Sequence, residues 1–214
     1  MKKLLKVIVF AVALLSYTMS NAQGSQGESV LTLHAGFSVT GGLIKAVFND
    51  DIFLDSNGVS QTGTSSVSGG PAIVLGYDFG LSDRWSIGAI LTNQSWKGDG
   101  SNSFINSSGN VQDEVVTFKL NRSNFSLTPK IHYGNGDNVD LYSGVRIGYV
   151  FWGGSIESAD PDYNGLGDFD GIGRVNIGLT AFGGRFYFND HFGASFELNL
   201  GAPNILGLGL NYKL

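Results

Sequence analysis

The sequence predicts an all-β protein, an eight-stranded antiparallel up-and-down β-barrel. Apolar and polar residues alternate with period two in eight separate runs, as expected for strands whose two faces meet different surroundings. The connections between the runs alternate between short turns and stretches of roughly seventeen to thirty residues, which are long for hairpin loops. Gly supplies 32 of the 214 residues and only 14% are charged, a composition that favours many strands over helices.

The C-terminal hairpin shows the alternation most clearly. Its two runs, Phe192–Leu200 and 206–214, are joined by a short turn that contains Gly and Pro. One face of each run is entirely apolar, whereas the other carries Glu197, Asn199 and Lys213 together with glycines. Each run of about ten residues is long enough to cross a bilayer at a tilt.

Six further strands are predicted before this hairpin. In chain order they cover residues 31–40, 72–79, 85–94, 116–133, 139–151 and 174–188. In the fourth of them the apolar face changes near Asn121, which predicts either a β-bulge or an extension of the strand beyond the membrane. In the sixth, the alternation is lost over Arg185-Phe186-Tyr187-Phe188, so the sequence does not assign the faces of these residues.

The first 22 residues have the features of a cleavable signal peptide. Lys2, Lys3 and Lys6 precede an apolar run at 7–15, and small residues follow at 20–22. We therefore expect a signal peptide at 1–22 and one barrel domain at 23–214. Removal of the three lysines leaves 10 basic against 18 acidic residues, which argues against nucleic acid as a partner.

Period two alone also allows a soluble barrel, whose apolar face would surround a small ligand. Three features favour the membrane. The polar face carries charges that could pair in a narrow lumen, and the connections are short at one end and long at the other. Aromatic residues also gather where strands meet the short turns, as in an interfacial belt: Tyr77, Phe79, Trp85, Tyr133, Phe192 and Tyr212. The sequence thus predicts a transmembrane β-barrel.

Three segments carry a family resemblance: Gly-Tyr-Asp-Phe-Gly-Leu-Ser-Asp-Arg-Trp at 76–85, Gly-Arg-Phe-Tyr-Phe-Asn-Asp at 184–190, and the terminus at 207–214. Through them the chain resembles the small outer-membrane β-barrels of Gram-negative bacteria, the OmpA-, OmpX- and OmpW-like porin-type proteins. The resemblance implies an outer-membrane location with both termini periplasmic, contact with outer-membrane lipid and lipopolysaccharide, and insertion by the outer-membrane assembly machinery. Gly209, Tyr212 and Leu214 are similar to the family's C-terminal assembly signal, although the family more often ends in Phe.

Six residues of the polar faces are candidates for a network inside the lumen. They could form a paired polar plug, because eight strands leave little free bore, or they could line a narrow conduction path. Arg146 and Glu197 lie at mid-strand height and are the expected central partners. The six residues are His34, Asp78, Lys130, Asp140, Arg146 and Glu197.

An acidic connection carries a possible calcium site, and no other cofactor is expected. Asp160, Asp162 and Asn164 match oxygen-ligand positions one, three and five of a calcium loop, and Asp168 follows closely. The twelfth position is Gly171 instead of the closing Glu, so an ordinary solvated acidic loop is the alternative.

The sequence offers no evident catalytic group. None of its three histidines has a Ser and a carboxylate at an obvious companion position, so we expect a protein that is not an enzyme. The preferred function is an envelope or surface-contact role through the acidic connections at 44–68, 98–114 and 155–170. The alternative is a narrow channel or transporter for small solutes or hydrophobic ligands, with an apolar pocket built from Trp96, Phe118 and Trp152. The sequence does not identify an extracellular ligand.

Overall fold

A computed structural model describes residues 26–49, 65–105, 111–136, 138–157, 169–201 and 203–214. The elements in this part of the chain are β1 (Ser29–Phe37), α1 (Val39–Asn49), β2 (Ser65–Gly69), β3 (Ala72–Ser82), β4 (Trp85–Ile105), β5 (Val111–Gly136), β6 (Val139–Glu157), β7 (Phe169–Tyr187), β8 (Phe192–Leu200) and β9 (Leu206–Lys213).

Eight of these strands close into an antiparallel barrel. The wall runs β1-β3-β4-β5-β6-β7-β8-β9, and β1 pairs with β9 to complete the ring, with Val30 opposite Lys213. The short strand β2 pairs with β4 beyond the end of β3. It therefore lies in line with β3 in the wall, and Gly70 and Pro71 separate the two strands. The predicted eight-stranded fold is confirmed. Within the described residues, no helix is both long and apolar enough to span a membrane.

The barrel exposes its apolar residues and buries its polar ones. Leu33 on β1 and Ile177 on β7 are 54% and 67% exposed, whereas Arg146 on β6 and Glu197 on β8 are each 2% exposed. A protein in water buries apolar surface and leaves charges outside, because unpaired burial of a charge is costly. The outward apolar face is therefore suited to hydrocarbon surroundings.

The wall is much taller on one side than on the other. β1, β8 and β9 have eight or nine residues, whereas β4 to β7 have between 19 and 26. On the tall side, the outward apolar residues end at Leu91 and Phe125, and polar residues follow. Asn93 Nδ2 there donates to Asn121 Oδ1 and to Ser123 Oγ, both at 3.0 Å. We call the part of β4 and β5 beyond this level the hairpin extension.

The hairpin extension corrects two sequence expectations. Of the stretch 98–114, taken as a loop, residues 98–105 and 111–114 are strand. The alternation is weak there because a strand beyond the membrane needs no apolar face. The pairing of β4 with β5 runs without a register shift from Trp85 to Ile105, so the change of face at Asn121 reflects extension of the strand and no bulge.

A register shift between Thr180 and Phe182 explains the unassigned end of β7. Before the shift, Thr180 and Gly178 are buried and face the lumen. After the shift the phase is reversed, so Arg185 points inward and Phe186 is 43% exposed. One additional residue in a strand is sufficient to exchange its two faces.

A helix follows β1 where the sequence analysis expected strand up to Thr40 and then a polar connection. The Ser38 hydroxyl accepts a hydrogen bond from the backbone N–H of Thr40 at 3.1 Å, which caps the first turn of α1. This capping interaction ends β1 at Phe37 and turns the chain into the helix at Val39. The first turn of α1 thereby lies at the long-connection end of the barrel.

Candidate functional site

The half of the lumen nearest the short turns contains a dense set of charged and aromatic side chains. Each of them is at most 9% exposed, and all project from the inward faces of the wall strands. We call this set the lumen network; it consists of His34, Asp78, Lys130, His132, Asp140, Tyr142, Arg146, Arg185 and Glu197. Six of the nine were candidates from the sequence.

Asp78 on β3 joins two cations from other strands, Lys130 on β5 and Arg185 on β7. Its Oδ2 accepts a hydrogen bond from Lys130 Nζ at 2.8 Å and another from Arg185 Nη2. Arg185 also donates from Nη1 to Asp140 Oδ2 at 3.1 Å. Gly88 makes room for this arrangement, since a Cβ there would lie 2.1 Å from Asp78 Oδ1.

Glu197 on β8 is the acceptor at mid-barrel height. Its Oε1 accepts from the Tyr142 hydroxyl at 2.9 Å, and its Oε2 accepts from Arg146 Nη2. Arg146 is held further by donation from Nε to Thr180 Oγ1 at 3.1 Å. Both oxygens of this buried carboxylate are thus hydrogen-bonded, as burial of a charge requires.

The Tyr142 ring fills the centre of the lumen between two cations. Lys130 Nζ lies 4.6 Å and the Arg185 guanidinium carbon 4.8 Å from its ring centroid, within the range of cation–π contacts. Gly183 on β7 provides the space for the ring, because a Cβ at this position would come within 2.4 Å of a ring carbon.

The lumen network is balanced in charge. It contains three carboxylates and three permanent cations, so it is neutral overall when both of its histidines are neutral. Buried ions are tolerated when they are paired and hydrogen-bonded, and a neutral set avoids a net charge in the low-dielectric interior. The arrangement therefore fills the lumen with paired groups of opposite charge.

The structure provides His132 with companions that the sequence did not reveal. His132 Nε2 lies 2.8 Å from Ser86 Oγ, and His132 Nδ1 lies 2.6 Å from Asp140 Oδ1. Ser86, His132 and Asp140 stand on β4, β5 and β6, which are neighbours in the wall. Their separation in sequence concealed the set, because only the register of the strands places them side by side.

His34 has a similar but more loosely connected set. Its Nε2 lies 2.7 Å from Ser195 Oγ, whereas its Nδ1 is 3.6 Å from Glu197 Oε2, beyond ordinary hydrogen-bond length. The third histidine, His191, sits in a short turn with its Nδ1 3.0 Å from the Lys213 carbonyl oxygen.

A small cavity opens at the short-turn end of the lumen. Its volume is about 40 Å³, which is space for about three water molecules. Six of its lining residues matter below: Glu28, Ser86, His132, Asp140, Arg185 and Lys213.

A second cluster fills the lumen at the long-connection end, where the sequence analysis considered an apolar pocket. The Arg122 guanidinium lies 5.3 Å and 5.5 Å from the ring centroids of Trp96 and Trp152, and the two rings stack at 6.0 Å. Trp96 is only 3% exposed and packs against Gly69. We call these residues the outer cluster. Phe118, the third aromatic residue of the expected pocket, lies over Gly98 on the hairpin extension.

The Arg122 side chain reaches across the barrel to the side of the wall that has the short strands β1, β8 and β9. Its guanidinium donates to Gln94 Oε1 at 2.6 Å, to Thr40 Oγ1 in α1 at 2.9 Å and to the Pro203 carbonyl oxygen at 2.5 Å. A planar guanidinium has donors for several partners at once, which suits this bridging position. Sequence reasoning missed Arg122, since its partners lie on the neighbouring strand, in α1 and in the turn before β9.

The remaining candidates lie elsewhere. The possible calcium ligands Asp160, Asp162, Asn164 and Asp168 fall outside the described residues. Gly209 on β9 packs beneath the His34 ring, where a Cβ would lie 2.5 Å from a ring carbon. Tyr212 packs against Phe192 with ring centroids 4.8 Å apart, and Leu214 is 41% exposed.

An apolar exterior around a polar, hydrogen-bonded interior inverts the plan of a soluble ligand-binding barrel. The outward apolar residues of β5 extend over nine positions from Phe125 to Tyr133, which matches the length of a tilted membrane-spanning strand. The turns that join β3 to β4, β5 to β6 and β7 to β8 lie at one end. The tall strands extend at the other end, where the short turn between β8 and β9 also lies. This is an outer-membrane-type β-barrel.

The chain is similar to several solved structures of outer-membrane proteins. OprG from Pseudomonas aeruginosa is 13% identical over 91% of this chain and 99% of its own, with a TM-score of 0.46. Ail, the attachment invasion locus protein of Yersinia pestis, is 12% identical over 88% and 99% of the two chains, with a TM-score of 0.43. The N-terminal β-barrel domain of P. aeruginosa OprF is 13% identical over 87% and 97%, with a TM-score of 0.40. No protein-family model and no curated protein sequence matches the chain.

Proposed function

We propose that the protein is a non-conducting outer-membrane barrel that supports the envelope and presents its tall wall to the cell exterior. The filled lumen is the observation that carries this proposal. Tyr142 and the ion pairs around it occupy the half near the short turns, and Arg122 with its two tryptophans occupies the half near the long connections. A barrel of eight strands has an interior just wide enough for such side chains. This role requires no catalysis.

The hairpin extension is the surface proposed for external contacts. Long strands and connections of outer-membrane barrels face outward, and short turns face the periplasm. Lys97 and Lys119 are cross-strand neighbours at the base of the extension. We propose that they lie at the level of lipid headgroups. Their ammonium groups already pair with Asp99 and Glu157, and they are proposed to contact phosphates of lipopolysaccharide as well.

Export and assembly complete the proposal. Residues 1–22 direct export and are removed, and the segment containing Gly209, Tyr212 and Leu214 is read by the outer-membrane assembly machinery. The exposed Leu214 side chain supports this assignment, because an assembly factor can reach it. A calcium site at Asp160, Asp162, Asn164 and Asp168 stays a prediction; calorimetry at millimolar calcium tests it, and an absence of heat contradicts it.

Single-channel recording in planar bilayers tests the central proposal. The folded protein is expected to give no steady conductance. The matched variant carries both Tyr142→Ala and Arg122→Ala, which remove bulk from the two halves of the lumen, and it is expected to conduct. Conductance by this variant shows that the protein inserts and that the assay detects an open bore. Steady, ion-selective conductance by the unmodified protein would overturn the proposal in favour of a narrow channel.

A further inference from the structure

Ser86, His132 and Asp140 have the connectivity of a catalytic triad. The imidazole Nε2 meets the serine hydroxyl at 2.8 Å, and its Nδ1 meets the carboxylate at 2.6 Å. In hydrolases this arrangement lets the imidazole take the hydroxyl proton while the carboxylate fixes its tautomer and stabilises the imidazolium. The other Asp140 oxygen accepts from Arg185 Nη1 at 3.1 Å, so the acid of the set is itself held in place.

The set borders the cavity at the short-turn end. All three of its residues line this cavity, and so do Glu28 and Lys213 near the ends of the chain at the barrel mouth. A space of about three water molecules is the size of an acetyl group, which has three non-hydrogen atoms. A small acyl group could therefore enter the cavity while the alcohol part of an ester remained outside the mouth.

Arg185 offers a donor for the developing negative charge. It lines the same cavity, and its Nε has no hydrogen-bond partner among the described residues although it is buried. Buried donors are normally paired, so an unpaired one in a cavity wall marks a place for a ligand oxygen. Catalysis of acyl transfer needs such a donor beside the nucleophile.

We propose that Ser86 is a nucleophile that accepts a small acyl group, such as acetyl, from esters that enter the short-turn end of the barrel. Ser86 Oγ forms a bond to the ester carbonyl carbon as its proton passes to His132 Nε2, and the carbonyl oxygen is stabilised by Arg185 Nε. The carbon–oxygen bond of the ester then breaks, and the alcohol leaves with the proton from His132. Water attacks the acyl-serine in the same way, which releases the carboxylic acid and restores Ser86.

The set around His34 provides an internal control. Ser195 also meets an imidazole Nε2, at 2.7 Å, but the carboxylate of Glu197 is 3.6 Å from Nδ1. Ser195 does not line the cavity. An ester that enters the cavity therefore meets Ser86, whereas Ser195 is buried beside His34 outside the cavity lining.

The test uses the folded protein in detergent with p-nitrophenyl acetate as the probe. We expect release of nitrophenolate and an acetyl group on the peptide that contains Ser86, detected by mass spectrometry after acid quench. Ser86→Ala abolishes this adduct, and His132→Gln slows its formation about 100-fold or more, since the general base is lost. Ser195→Ala leaves both the rate and the adduct unchanged. Heat-modified mobility in detergent gels confirms that each variant is folded.

The proposal would be overturned by the absence of an acetyl group on Ser86, or by an equal rate of Ser86 acetylation in folded His132→Gln. Acetylation of Ser195 at a rate equal to that of Ser86 would also contradict it, because reactivity would then not depend on the cavity. The outcome is independent of the conductance experiment, so the acyl-transfer activity and the surface role fail or succeed separately.

Discussion

Arg146 on β6 donates to Glu197 on β8 across an intervening strand, although the two residues are 51 positions apart in sequence. Both side chains are almost fully buried, so neither charge can turn to solvent if its partner is lost. This ion pair therefore joins two strands that are not neighbours in the wall. Loss of either partner leaves the other charge buried and unpaired, which destabilises the fold more than the loss of a surface ion pair.

Glu197→Ala is expected to destabilise the barrel by about 3–5 kcal/mol, since it leaves Arg146 buried without a carboxylate. The free energy of unfolding in lipid vesicles, measured by urea titration, checks this value. Glu157→Ala is the control, because it breaks the exposed pair with Lys119 and should cost less than about 1 kcal/mol. Equal losses in the two variants would show that the lumen network contributes no more than a surface contact.

Ile177→Arg tests the assignment of the outer face to lipid. Ile177 is 67% exposed near the middle of the apolar band, where an arginine should cost about 2–4 kcal/mol in a bilayer. An exposed position of a soluble protein would tolerate the same change within about 0.5 kcal/mol. Urea unfolding in vesicles distinguishes the two, and an effect of the smaller size would count against membrane insertion.

Gly183→Ala is expected to cost about 1–3 kcal/mol, because the new methyl group would overlap the closely packed Tyr142 ring. Gly100→Ala is the matched control in the hairpin extension, where no atom lies within 4 Å of the added Cβ. The difference between the two free energies of unfolding reports the packing around Tyr142. A neutral Gly183→Ala would mean that this ring can move aside and that the lumen is not filled.

The pKa of Asp99 on the hairpin extension is lowered by the hydrogen bond from the Thr117 hydroxyl and by the one from Lys97. The lowered folded-state pKa means that this contact stabilises the extension above the ordinary pKa of Asp and is lost as pH falls through the folded value. Thr117→Val should raise the pKa of Asp99 toward its ordinary range. Titration of the Asp99 carboxyl carbon by nuclear magnetic resonance measures the change, and an unaltered pKa would exclude the hydroxyl as its cause.

The chain contains no Cys, so single cysteines report the orientation of the barrel without background. A cysteine at Ser103 in the hairpin extension should react with a membrane-impermeant maleimide on intact cells. A cysteine at Ser82, at the first short turn, should react only after the outer membrane is permeabilised. The reverse pattern would place the tall wall in the periplasm and would remove the proposed surface role.

The number of strands and their faces were predictable because lipid outside and a polar lumen inside impose period two on every strand. Within the membrane this constraint is strict, and Leu33, Ile147 and Leu210 all lie on the exposed face that the alternation gives. Outside the membrane the constraint disappears. Residues 98–105 and 111–114 of the hairpin extension and most of α1 therefore carry no recognisable pattern, and the sequence predicts loops there, whereas 116–120 of β5 is predicted as strand.

Contacts across the lumen could not be read from the sequence, because they depend on how far each strand is shifted against the next. Arg185 was not assigned because a single register shift in β7 exchanges its faces. Ser86 and Asp140 meet His132 only through the pairing of three neighbouring strands. Individual inward charges were visible in the sequence, whereas their partners were visible only in the structure.

The pairing of β1 with β9 has a consequence for biogenesis. The seam of the ring joins the first wall strand to the last, so neither can be fully paired until the whole chain has reached the membrane. A nascent or truncated chain would instead present two open β-edges, which are prone to aggregate. Closure of the ring therefore has to follow synthesis of β9, because one edge of β1 has no partner before then.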